Sequence, residues 1–384
     1  MSFKRFALIV VMVLLMGMAL TACSDEGGGE QVEVTRIVEV TRIVEVPAEG
    51  GGAEAGGEES QPAPTGAGAI LQRVRDRGRL VCGARTDLAG FGYLDEDGNN
   101  AGFDIDFCRA VAVALFNDPE AVEFVPLTAA DRGPSLQTAE VDLLSRNVTW
   151  TSSRDAQWGN FTFVTFYDGQ GFIVPADSGI ESLEDLDGAS VCVTSGTTTE
   201  LNLADAFRQR GLDFTADAYE DTATVYSTYD GGGCDAATSD KSQLAAIQTG
   251  LEDPSAHVIL DITISEEPLT PAVPHGDDQW FDLVKMVYMV LVNSEMLGVD
   301  STNVDDMMSS DNVQVLRLLG QEGDFGQTDL GLDPDFGANV IRDVGNYGEI
   351  YNRYMGPDGL SFTLPRAQNN LWTEGGLIYA PPLR

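Results

Sequence analysis

Histidine is nearly absent from this 384-residue chain: His257 and His275 are the only two. A histidine-rich zinc site or a repeated imidazole relay is therefore excluded, although one general base is not. Basic residues are scarce as well. Lys and Arg total 22 against 61 Asp and Glu, a formal net charge of −39. An anion of that size repels phosphate backbones and anionic lipid heads, so nucleic-acid binding is excluded. Cysteine is limited to five residues, with no C-x-x-C spacing and no neighbouring histidine, which removes a structural zinc site. Only one apolar run is long. The hydrophobic share of 43% is nonetheless that of a folded protein, and the length suits at least two domains.

That one run, Phe6 to Leu20, follows Lys4 and Arg5. It is short for a spanning helix of roughly 20 residues and right for the core of a signal peptide. It ends in Leu20-Thr21-Ala22-Cys23, which resembles a bacterial lipobox, in which the cysteine is diacylated. An ordinary signal peptide cut nearby, or an uncleaved anchor, would export the chain equally. Acylation at Cys23 would tether the protein to the outer face of the cytoplasmic membrane. Residues 24–68 are rich in Gly, Ala, Glu, Pro and Ser, with Val-Glu-Val-Thr-Arg-Ile repeated from Val32 and Val38. They read as a stalk with an r.m.s. reach of about 35 to 40 Å if flexible. The β-branched repeat also allows a strand-like, self-associating segment.

The remaining cysteines, Cys82, Cys108, Cys192 and Cys234, are even in number in an exported chain and imply two disulfides. Of three possible pairings, Cys82 with Cys108 and Cys192 with Cys234 keep each loop inside one proposed domain.

Hydrophobic periodicity predicts strands at Arg79–Gly83, Val122–Pro126 and Val141–Ser145, with helices at Phe103–Phe116 and around Ser135–Glu140. After Phe172-Ile173-Val174-Pro175 the pattern restarts. Strands are expected at Ser190–Val193, Phe214–Tyr219 and Cys234–Thr238, helices at Thr199–Arg210 and Lys241–Thr249, and a long helix at Asp277–Leu297. Further helices are expected around Val313–Leu319 and Phe336–Tyr354. Two tandem α/β units with mainly parallel sheets follow. Extended connections near Phe172–Pro175 and Glu267–Pro274 suggest two lobes joined by a hinge, with strand carboxyl ends facing a ligand cleft. The expected division is residues 69–173 plus 274–384 for one lobe and 174–273 for the other.

Three stretches could furnish that cleft. Leu143 to Arg154 leaves a buried strand as a polar loop carrying Asn147, Thr149 and Arg154, suited to holding a carboxylate; a surface arginine or a structural ion pair is the plainer reading. Ser195-Gly196-Thr197-Thr198-Thr199-Glu200 opens a helix after a strand, so Thr197 and Thr198 could face an anion; ordinary N-capping, with Glu200 supporting the first turn, would leave the same signature. Asp240 ends a strand and could meet a desolvated ammonium, or merely cap the next helix. An arginine in one lobe and an aspartate in the other together suit a zwitterion.

With these residues in view, the chain resembles the polar amino-acid solute-binding proteins of ABC importers, specifically the general L-amino-acid-binding subfamily. The resemblance rests on Gly102-Phe103-Asp104-Ile105-Asp106-Phe107-Cys108, Leu144-Ser145-Arg146-Asn147, Tyr167 to Phe172, Ser195 to Asn202, Gly276 to Asp282, Gly345 to Glu349 and Gly375 to Pro382. It implies a two-lobed periplasmic-binding-protein fold of type II. It also implies capture of an L-amino acid without chemistry or cofactor, and delivery to membrane permease subunits served by a separate ATPase. Residue by residue, it implies that Arg154 holds the α-carboxylate with Asn147, Thr149 and Thr198 around it, and that Asp240 holds the α-ammonium. It makes Phe91 an aromatic wall and puts Leu88 where many relatives have a stacking tyrosine. Arg85 stands where relatives specific for basic amino acids carry an acidic residue, which predicts a preference for acidic amino acids and their amides. The segment Asp131-Arg132-Gly133-Pro134 departs from the subfamily and is expected to lie beside the site. A cyclohexadienyl or arogenate-type dehydratase on the same fold is the enzyme alternative.

Overall fold

The computed structural model describes residues 68–384. The leader, Cys23 and the stalk up to residue 67 lie outside the described residues. The first element is helix α1, Ala69–Arg77, which buries Ile70, Leu71 and Val74 and stops at Gly78, whose φ of 72° is left-handed. Strand β1, Leu80–Ala84, is buried throughout, as a central parallel strand must be. A small antiparallel sheet follows, made of β2 (Asp87–Leu88), β3 (Gly92–Leu94) and β4 (Asn100–Ala101). Its short strands gave no periodicity to read.

Helix α2, Phe103–Phe116, buries nearly all of its surface. It starts at Gly102, with φ 135°, where a Cβ would stand 2.2 Å from the Phe91 carbonyl oxygen, so only glycine fits this turn. Then come β5 (Val122–Pro126), α3 (Arg132–Gln137), β6 (Leu143–Leu144), α4 (Ser152–Gln157) and β7 (Asn160–Phe161). The long strand β8, Phe166–Pro175, leads into β9 (Ala189–Thr194), α5 (Thr198–Arg210), β10 (Phe214–Tyr219), α6 (Thr222–Asp230), β11 (Ala236–Asp240) and α7 (Lys241–Gln248). The return uses β12 (His257–Ile259), β13 (Glu266–Leu269) and β14 (Ala272–Val273) before α8, Asp278–Met296. Asp277 joins α8 to α1: its buried carboxylate caps Trp280 N–H at 3.0 Å and accepts Ile70 and Leu71 N–H at 2.7 and 3.0 Å.

The first sheet has the order β5-β1-β6-β14-β7, with β1 parallel to β5 and β6 and β14 antiparallel. The second has the order β10-β9-β11-β8-β12, with β9 parallel to β10 and β11 and β8 antiparallel. Each sheet has its own apolar core, the first enlarged by α8 and the carboxyl-terminal helices. Both disulfides take the favoured pairing, Cys82 with Cys108 and Cys192 with Cys234, each joining a sheet to its own neighbouring segments.

One expectation is corrected. Phe172–Pro175 is not a connector but part of the second sheet, with Ile173 opposite Ala237 and Val174 opposite Val258. Earlier in the same strand, Phe166–Gly169 pairs antiparallel with Leu269–Glu266. On the return, Ala272 pairs with Leu144 and so belongs to the first sheet. An extended, apolar strand looks alike in a hinge and in a sheet, because its partners are distant in sequence. The carboxyl-terminal segment also reaches this ladder: Asn369 Oδ1 accepts Tyr167 N–H at 2.6 Å, and Asn369 Nδ2 donates to the Tyr167 carbonyl at 3.1 Å.

Candidate functional site

Asp240 is the last residue of β11, and α7 begins directly after it. Its side chain caps nothing, and its buried Oδ1 has no hydrogen-bond partner among the described residues. The helix-cap reading of Asp240 therefore does not hold. Burial pushes its carboxyl well above the ordinary range, Asp168 and Glu267 push it further, and Arg132 and Arg154 pull it back.

Asp240 faces a small cavity between the two sheets, about 30 Å³, also lined by Arg85, Arg132, Arg146, Asn147, Thr149, Thr197 and Thr198. Room for about one water molecule is all this provides, so the walls must part to admit anything larger. Among the lining residues Asp240 is the sole carboxylate, opposite three arginines.

Arg85 follows β1 and is 3% exposed. Its Nε pairs with Asp87 at 2.7 Å, while Nη1 donates to Asn147 Oδ1 at 3.2 Å and to Gln243 Oε1 on α7 at 3.0 Å. It thus already bridges the two lobes. Asn147 occupies left-handed backbone space, φ 32°, and its N–H donates to Asp104 Oδ2 at 2.6 Å. Thr149 and Thr198 approach from opposite sheets, their hydroxyl oxygens 3.3 Å apart, and both donate to Glu267 Oε2 at 2.5 and 3.0 Å. Asn202 Nδ2 and Ser265 Oγ hold the other Glu267 oxygen at 2.7 and 2.6 Å. Thr197 does serve as the N-cap of α5, accepting Glu200 N–H at 3.2 Å, while also lining the cavity.

Two expected residues lie elsewhere. Arg154 is buried but does not line the cavity; its guanidinium sits 4.7 Å over the Trp158 ring and donates to the Thr149 carbonyl at 3.1 Å. It stands directly behind the Thr149 loop, where the charges of Glu267 and Asp240 partly offset the burial that lowers its pKa. Phe91 is no cavity wall: it is 1% exposed and packs edge-on against Phe166 and Phe103, with Leu88 in the same core. The buried turn that sets up Gly102 draws Phe91 into this aromatic cluster.

The cavity thus lies between two α/β lobes, with an uncapped aspartate on one side and guanidiniums on the other, the charges that a zwitterion requires. Residues 80–357 match the bacterial extracellular solute-binding proteins, family 3. This chain belongs to that family. The general L-amino acid-binding periplasmic protein AapJ of Rhizobium johnstonii is 48% identical over 82% of this chain and 92% of its own length. The glutamate/glutamine/aspartate/asparagine-binding protein BztA of Rhodobacter capsulatus is 43% identical over 82% and 93%. Among solved structures, an ABC transporter/periplasmic binding protein from Brucella ovis with glutathione bound superposes with a TM-score of 0.79 at 44% identity, covering 82% of this chain and 99% of that one.

Within this family-3 chain, sequence reasoning missed Arg132 and Arg146 as cavity residues. Arg132 was expected beside the site, yet it lines the cavity, anchored by Nε on the Ala129 carbonyl at 3.1 Å. Arg146 is held by the Leu127 carbonyl at 2.7 Å, and burial together with Arg85 lowers its pKa to about 9. Its position directly after the buried strand end Leu143–Ser145 was the available signal. Glu267, the 1%-exposed link between Thr149 and Thr198, was also missed, since it read only as connector. Among the described residues no group of three or more His, Cys, Asp or Glu is placed to hold a metal ion, and no helix is long and apolar enough to cross a membrane.

Asp104 gives the site a pH dependence. Burial raises its carboxyl to about 7, against the Asn147 hydrogen bond and the charges of Arg85 and Arg146. A carboxyl whose folded pKa lies above its unfolded value favours folding fully below the unfolded value, and that contribution is lost as pH rises through the folded one. Asp104→Asn keeps an acceptor for Asn147 N–H without a titrating proton. The variant is expected to lose less stability than the parent between about pH 4 and pH 7, measured by urea unfolding at several pH values. Parallel pH profiles for the two proteins would contradict this.

Proposed function

We propose that this protein captures free L-amino acids outside the cytoplasm and delivers them to the membrane permease of an ABC importer. The observation that carries this is Asp240, buried and uncapped, across a small cavity from Arg85, Arg132 and Arg146. A buried carboxylate requires a cationic partner and buried guanidiniums require anionic ones, and an amino acid supplies both on adjacent atoms. In this reading the α-ammonium meets Asp240. The α-carboxylate meets the amino end of α5 and the Thr149 and Thr198 hydroxyls, which would turn to it from Glu267, with Arg154 behind them. The three cavity arginines outnumber the acid, so a ligand with a second carboxylate or amide is favoured: glutamate, aspartate, glutamine and asparagine. The similar BztA, a glutamate/glutamine/aspartate/asparagine-binding protein, points the same way. Closure of the two lobes over the ligand, by bending in the Phe166–Gly169/Glu266–Leu269 ladder, is what the permease reads.

No chemical step is proposed. The dehydratase reading needs an acid free to act on the ligand, and the one carboxylate lining the cavity is already assigned to the ammonium. Lipid attachment at Cys23 belongs to the proposal and would keep the protein beside its permease. A thermal-shift panel of the twenty amino acids on the ligand-free exported protein tests the reading. Stabilisation by L-glutamate or its relatives supports it; tighter binding of lysine than of glutamate refutes the acidic preference, and silence from all twenty refutes capture.

A further inference from the structure

Beside the small cavity lies a larger chamber of about 490 Å³. The two adjoin, sharing Arg85, Ala129, Arg146 and Thr222 in their walls. The loop after β5 forms one side of the chamber and Ser195 with Glu220 to Thr222 the other, so its contents would touch both lobes. Its volume is in the range of roughly 300–1,000 Å³ that accepts whole organic ligands. The shared wall is a set of donors. Arg85 Nη2 is buried with no hydrogen-bond partner, and Arg146, 6% exposed, is held only by a backbone carbonyl. The chamber is also lined by Asp131, Glu220 and Asp221, and by Asp87, whose charge is paired with Arg85.

The chemistry of the inner anchors decides what could extend into this space. A peptide bond at the α-amino group would remove the charge that Asp240 needs, and one at the α-carboxyl would remove the other anchor. Extension from the side chain preserves both. An amide carbonyl at the end of a glutamyl side chain would accept from Arg85 and Arg146 at the shared wall. Atoms beyond it would lie among the carboxylates of Asp131, Glu220 and Asp221, which repel an anionic tail and tolerate a neutral or cationic one.

We infer that the chamber is a second subsite for acidic amino acids amidated on the side chain, γ-glutamyl amides with an uncharged or positive tail. This rests on the amino-acid reading above. Isothermal titration of the ligand-free full-length protein with L-glutamine, γ-glutamylethylamide and γ-glutamylglycine tests it, alongside Ala130→Trp and Thr128→Trp, which fill the chamber from an exposed loop without touching the small cavity. The ethylamide is expected to bind within about tenfold of glutamine and more tightly than the glycine conjugate. Each tryptophan variant should weaken the ethylamide by about 20-fold or more and leave glutamine within about twofold, which also reports correct folding. Glutamine binding with an ethylamide affinity about 100-fold weaker in the parent, or equal losses for both ligands in the filled variants, overturns the subsite alone. Failure of glutamine and all free amino acids would overturn the underlying reading and the subsite with it.

Discussion

Asp240→Asn lowers affinity for every bound L-amino acid by at least about 100-fold, equivalent to about 2.7 kcal/mol. The magnitude follows from burial. Removing one partner of a buried ion pair leaves the other charge uncompensated, at about 3–5 kcal/mol. Asparagine can still accept a hydrogen bond but cannot neutralise the ammonium, so the loss is one of affinity and not of fold. The unliganded variant should in fact be at least as stable as the parent at neutral pH, because a buried, partnerless carboxylate is costly to ionise. The raised pKa gives a second signature. Ligand binding demands the ionised carboxylate, so parental affinity falls as pH is lowered and Asp240 takes up a proton. Calorimetric titration across pH reads both effects. Arg154→Ala should also weaken binding, through loss of the guanidinium that supports Thr149 from behind. A variant at Asp240 that binds like the parent would remove the ammonium anchor from the account.

Removing the disulfides produces the largest expected loss of stability. The chain-entropy relation gives about 3.5 kcal/mol for the Cys82–Cys108 loop of 26 residues and about 4 kcal/mol for the Cys192–Cys234 loop of 42. The second bond matters more to the site. It links β9, which leads into Thr197 and Thr198, to the residues just before β11, which ends at Asp240. Replacing Cys192 and Cys234 by alanine is expected to lower the thermal midpoint by about 10 °C and to weaken ligand binding in parallel. The Cys82 and Cys108 pair, anchoring α2 to β1, should lower the midpoint comparably with a smaller effect on affinity. Scanning calorimetry with and without reductant checks this, and an unchanged midpoint under full reduction would contradict it.

Long, strongly patterned elements were legible in the sequence. Helix α2 runs over the predicted Phe103–Phe116, and α8, β5 and β10 depart little from expectation. Periodicity reports local burial, and these elements are buried by their own chemistry. The two-residue strands β2, β4, β7 and β14 could not be read, because pairing with distant strands makes them, not local propensity; β6 fell inside the predicted Val141–Ser145. The same limit hid Phe172–Pro175 as part of a strand in the second sheet. Within the site, Asp240, Arg85, Thr149, Thr197 and Thr198 sit at strand or helix ends, where sequence punctuation is strong, and they converge on one cavity. Arg132 and Glu267 could not be read in this way. Their contributions come from approaches across the lobes, Arg132 toward Asp240 and Glu267 to Thr149 and Thr198, and no local pattern encodes partners this distant in sequence. Phe91 failed for a further reason: an aromatic in a cleft loop and one in the core beneath it share the same local sequence.

A crystal structure of the protein with L-glutamate is expected to show one glutamate between the lobes, its α-ammonium on Asp240, its α-carboxylate at Thr149 and Thr198, and its side-chain carboxylate toward Arg85, Arg132 and Arg146. A glutamate bound outside this cavity, or within it with the ammonium away from Asp240, would contradict that placement.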